Sequence, residues 1–119
     1  LGLASAPVQE PAASTAPAAQ SVHAAVDAEK QAEEILARAI RPVEKVAALN
    51  AFAGAAYAAN DYASAKVLLS AALRLDPGCD MTLKNAALLL HDMGDADKAL
   101  QMAAKMRQTD FLLLRALKS

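Results

Sequence analysis

Two stretches decide how this chain folds: GAAYAANDYASA at residues 54–65 and LLLHDMGDADKA at residues 88–99. A shift of 34 residues lays one on the other, placing Asn60 on Gly94, Asp61 on Asp95 and Ala65 on Ala99, with Leu49 on Leu83 upstream. A period of that length marks an array in which each unit is one supersecondary element that stacks on its neighbours. Asn and Gly are the residue types that tolerate a left-handed backbone at the end of a helix. Aspartate is a good N-cap, because its carboxylate accepts the free N–H groups of the next helix. On both sides of each turn, apolar residues recur three and four apart, in AALNAFAGAAYAAN then YASAKVLLSAALRL, and in TLKNAALLLHDMG then ADKALQMAAKMR. The expectation is an antiparallel helix hairpin that occurs twice.

Composition agrees. Of 119 residues, 32 are Ala and 17 Leu; the chain is 55% hydrophobic and only 3% aromatic. Ala heads the helix propensity scale, so this content predicts closely packed helices. Twelve basic and thirteen acidic residues leave a formal net charge of −1, and no segment is strongly polarised. That provides no electrostatic basis for nucleic-acid binding. One Cys and two His, far apart in sequence, make no disulfide or four-ligand zinc site. No run of about 20 apolar residues is present to span a membrane.

With the period, the small residue and aspartate of the turn, and the small-residue signature Ala65, Leu69, Ala72 and Ala99, Ala103, Met106 of the second helices, the chain resembles the tetratricopeptide repeat family. Asp76-Pro77 after the first hairpin fits as well, since proline ends a helix and sets the angle into the next unit. The pattern is incomplete: Leu49 and Leu83 stand where the family has a large aromatic, Ala53 and Ala87 where it has glycine, and the tyrosine is displaced to Tyr57 in one copy and replaced by Leu in the other. The resemblance covers residues 46 to 110, with repeats at 46–79 and 80–110. It implies an all-α fold, a right-handed α-solenoid of antiparallel helix hairpins. Ala65, Ala72 and Ala99 would let helix axes approach to the lower end of the usual range, about 8 Å.

Helices are expected on both flanks. Residues 21–41 would open at Ser21 and carry the spacing Ala32, Leu36, Ala39 of a second helix whose partner is missing, before Pro42 starts the next helix. Residues 110–118 would form a last helix capped by Thr109 or Asp110. Residues 1–20 hold three of the five prolines and one charge, Glu10, and are expected to be a disordered linker. The missing initiator Met suggests a fragment or processed chain, and Ala4-Ser5-Ala6 resembles a signal-peptidase site with only three residues before it. The location is left unknown, with the cytoplasm favoured over a periplasmic or secreted one because the signal-peptide resemblance is weak.

Chemistry is not indicated. Asp92, Asp95 and Asp97 around Gly94 lack the alternate spacing of a calcium loop. His23 and His91 have no nucleophile or carboxylate at a spacing that would make either a general base. Cys79 lies in a loop without a basic neighbour close in sequence. The expectation is therefore no enzyme, no cofactor and no metal.

The family resemblance implies binding on the concave side of the first helices, where a peptide segment or partner helix would meet Asn50, Gly54, Tyr57 and Ala58 from one copy and Met81, Lys84, Leu88, His91 and Asp92 from the next. Only Asn50, Lys84 and Asn85 resemble the set that the family's chaperone-tail binders use, which speaks against that role. The leading expectation is a non-enzymatic protein-interaction module with Tyr57, Met81 and Leu88 as anchors. Two alternatives stand beside it: a self-assembling scaffold unit, held through Phe111, Leu113, Leu114 and Leu117 of the last helix, and a bacterial secretion or pilus-assembly chaperone. A homo-oligomer is one expected form.

Overall fold

A computed structural model describes residues 17–118, with side-chain surroundings from residue 26. The expected linker therefore lies mostly outside the described residues. These form six α-helices and no strand: α1 Pro17–Leu36, α2 Pro42–Ala58, α3 Tyr62–Leu75, α4 Asp80–Asp92, α5 Ala96–Ala104 and α6 Phe111–Lys118. The chain is all-α.

Two antiparallel hairpins, α2–α3 and α4–α5, carry the 34-residue repeat in their turns. In the first, Asn60 has φ +62° and in the second Gly94 has φ +88°. The N–H of Asn60 donates to Tyr57 O and that of Asp61 to Ala56 O, at 2.9 and 2.8 Å. Shifted by 34 residues, Gly94 donates to His91 O and Asp95 to Leu90 O, at 3.0 and 2.9 Å. This is the same left-handed helix ending in both copies, satisfying carbonyls that would otherwise be orphaned. Each aspartate then caps the following helix: Asp61 Oδ1 accepts Ser64 N and Asp95 Oδ1 accepts Lys98 N, at 3.3 and 3.2 Å.

Small residues sit where helices meet. Ala65, Ala72, Ala87 and Ala99 have no accessible surface. α4 lies between two cores. Its Ala86 and Leu89 pack with Leu49 and Ala53 of α2 and Leu68, Leu69 and Ala72 of α3. Its Ala87 packs with Ala99 and Ala103 of α5 and Leu113 and Leu117 of α6. Large-to-small changes are felt in such interiors because the surroundings cannot fully relax.

The first flank departs from expectation. α1 starts at Pro17, so Ser21 lies inside the helix rather than before its first turn, and it ends at Leu36, leaving Ala39 exposed beyond it. Residues 37–40 make the turn that follows, and Pro42 holds Arg41 in extended backbone (φ −69°, ψ 151°) before α2. Lys45 Nζ then donates to Leu36 O at 2.6 Å, a cation on the orphaned end of α1. Ala28, Ala32 and Ile35 form the buried stripe of α1, which lies chiefly against α3 and only lightly against α2. The second hairpin joins the first differently, through α4 on α3 and α2. α1 is thus not a displaced second helix of the repeat.

At the other end, Asp80 on the first turn of α4 accepts the N–H groups of Arg107 and Gln108 at 2.7 and 3.0 Å, which anchors the loop after α5. α5 stops at Ala104, so Met106 of the expected small-residue signature follows the helix. Asp110, rather than Thr109, caps α6, accepting Leu113 N at 3.0 Å. That backbone hydrogen bond, with Lys84 nearby, holds the Asp110 carboxyl below the usual carboxylate range. No helix among the described residues is long and apolar enough to cross a membrane.

Candidate functional site

α2 and α4 run side by side in the same direction, tied by pairs that advance together along both: Asn50 with Thr82 and Asn85, then Tyr57 with Asp92. Between them is a cleft of about 110 Å³, lined by Ala53, Gly54 and Tyr57 of α2, Asn85, Leu88 and Leu89 of α4, and Leu69 of α3 beneath. Three of the expected partner-binding residues, Gly54, Tyr57 and Leu88, therefore meet at one place. Gly54 matters because it lacks a side chain: a Cβ built there has nothing within 4 Å. The cleft is open over the backbone of α2 at this point.

Tyr57 forms its wall toward the turn. The phenol O–H donates to Asp92 Oδ2, and the ring stacks on Tyr62 with centroids 5.7 Å apart. That hydrogen bond to Asp92, helped by burial and by the carboxylate's charge, pushes the phenol pKa up to about 12. His91 stands next to the same carboxylate, Nδ1 to Oδ1 3.6 Å. The arrangement is a hydroxyl, an imidazole and a carboxylate at the rim of an apolar cleft, able to hold a main-chain or polar group of a bound segment.

Other expected contact residues are placed elsewhere. Asn50 is 3% exposed, and its side chain is spent inside the protein: Nδ2 donates to Val46 O and Thr82 Oγ1 at 2.9 and 2.7 Å, and Oδ1 accepts Asn85 Nδ2 at 2.9 Å. It fastens α2 to α4 and is not part of an accessible surface. Lys84 pairs with Asp110 at 3.5 Å, toward α6 and away from the cleft. Met81 is 55% exposed near the start of α4 and does not line the cleft. Within the last helix, Leu113 and Leu117 are buried in the second core and Leu114 is half-buried, so the expected self-association stripe is divided. Phe111 is the exposed member, together with Leu112, each at 77%.

Asn85 and Leu69 line the cleft without having been singled out for it. Asn85 carries a faint signal, an amide 35 residues after Asn50 just before the apolar run at 86–90; Leu69 has none, since its place depends on how α3 lies beneath the other two. No group of His, Cys, Asp and Glu among the described residues is arranged to hold a metal ion. No family model, curated protein or solved structure matches the chain.

Proposed function

We propose that the protein is a non-enzymatic interaction module, a short right-handed solenoid of two tetratricopeptide-like hairpins, whose α2–α4 cleft receives one aliphatic side chain of an extended partner segment. The cleft carries this reading. It is apolar, lies between the first helices of successive hairpins, is open over the Gly54 backbone, and has polar groups at its rim. About 110 Å³ suits a single branched side chain and excludes most cofactors. The bond-for-bond repetition of the two turns supports the repeat reading. The anchors in this reading are Tyr57 and Leu88, with Asn85 and His91 as polar neighbours; Asn50, Lys84 and Met81 have no part in it.

Selection of a displayed peptide library on the protein tests the reading. Enriched sequences are expected to share one Leu, Ile or Val, and their binding to be lost in Gly54→Leu, which fills the cleft, and in Leu88→Asp, while helical circular dichroism is retained. Selected peptides that bind both folded variants as well as the parent would sink the cleft assignment.

A further inference from the structure

The two ends of the helix array carry surfaces of opposite character. At the first end, the light contact between α1 and α2 leaves a groove of about 660 Å³ whose floor is α3. Phe52, Ala55 and Ala56 of α2 form its apolar wall; Asp27 and Glu34 of α1 and Asp61, the N-cap of α3, border it, against a single cation, Lys30. The excess is negative, and neither Asp27 nor Glu34 has an ion-pair partner among the described residues. At the last end, Phe111 and Leu114 of α6 share one face with the basic side chains of Lys118 and of Arg115, the latter already engaged in an interaction of its own.

We infer that α6 of one molecule seats in the α1–α2 groove of a second copy of this chain, with Phe111 and Leu114 on Phe52, Ala55 and Ala56, and its basic last turn toward Asp27 and Glu34. Lengths agree: an eight-residue helix is about 12 Å long, and the seven-residue step from Asp27 to Glu34 covers about 10 Å. Charge complementarity gives the direction, and apolar burial of a half-exposed Phe52 under a fully presented Phe111 gives the adhesion. Among the described residues neither surface is covered by another helix, since α1 packs on α2 and α3 and α6 on α4 and α5. The N-terminal residues 1–16 make a poor alternative occupant, because their one charge, Glu10, has the sign of the groove. Donor and acceptor surfaces are different, so the contact is head-to-tail and propagates beyond a dimer unless a ring closes. It is distinct from the α2–α4 cleft and does not depend on it.

Sedimentation velocity of the full chain over a wide range of concentration and salt tests this. Species larger than a dimer are expected, growing with concentration and shrinking with salt as the charges are screened over about 10 Å at 0.1 M. Phe111→Glu, at an exposed site, should weaken association by on the order of tenfold or more, as should Asp27→Lys/Glu34→Lys. Mixed together, these two variants should give a 1:1 complex and nothing larger, because each keeps one working surface. If Phe111→Glu loses helicity, Lys118→Glu takes its place, and its binding should return against the Asp27→Lys/Glu34→Lys partner. A wild type that stays monomeric throughout would overturn the inference, as would a symmetric dimer indifferent to the Asp27 and Glu34 reversals.

Discussion

Replacing Asn50 by Ala should destabilise the protein by about 2 to 3 kcal/mol, although both residues are compatible with a helix. Three hydrogen bonds are lost, and they differ in consequence. Val46 O is a backbone helix carbonyl, so losing its second donor matters little. Asn85 is half-buried and can turn its amide to water, for a loss of about 1 kcal/mol. Thr82 has no accessible surface, so its hydroxyl is left without this partner in a dry site, which costs about 1 to 3 kcal/mol. Ala regains about half a kcal/mol through helix propensity. The decisive assay is a double-mutant cycle with Thr82→Val, read by urea denaturation. With the hydroxyl already removed, Asn50→Ala should cost about 1 kcal/mol less than in the parent, a coupling typical of directly bonded neighbours. Strict additivity, or an Asn50→Ala cost below half a kcal/mol, would refute the claim that this amide joins the two hairpins.

Other expectations concern the turns and the cleft. Gly54→Ala should raise stability by about 0.5 to 1 kcal/mol in thermal or urea unfolding, because a helical glycine with open space around its Cβ gains only propensity. Gly94→Ala, at φ +88°, should instead lower it by about 1 to 2 kcal/mol, whereas Asn60→Gly at φ +62° should cause no loss. Asp61→Ala and Asp95→Ala should each cost about 1 kcal/mol, Asp61 more because it also accepts Ser64 Oγ at 2.7 Å. Tyr57, with its folded pKa near 12 against 10 when unfolded, keeps its proton more tightly in the native state. Its contribution is therefore complete below pH 10 and lost as pH rises from 10 to 12. An ultraviolet titration should find one late-ionising phenol, and Asp92→Asn should bring it back toward 10.

The hairpin turns were legible in the residues because capping is local. Asn60 and Gly94 choose a left-handed backbone, and Asp61 and Asp95 reach an N–H three residues on; partners so close in sequence need no tertiary contact to find each other. Pro42 at the first turn of α2 and Asp110 before α6 belong to the same class. Small residues at a fixed spacing likewise pointed to the seams that Ala65, Ala72 and Ala99 now occupy.

What the residues could not decide was which way each helix is turned. Asn50 reads as a surface residue until α4 is rotated so that Thr82 and Asn85 surround it. Phe111, Leu112, Leu113 and Leu114 are equivalent by hydropathy, and only the approach of α5 and α4 buries Leu113 and leaves Phe111 in water. The docking of α1 on α3 depends on contacts between residues some thirty or more positions apart, as does the groove it opens beside α2. The turns within the two hairpins are settled by interactions over three to five residues, which sequence carries directly, whereas both ends of α1 escaped it. Helix faces are settled by burial against distant segments, and that energy exists only once the chain has folded.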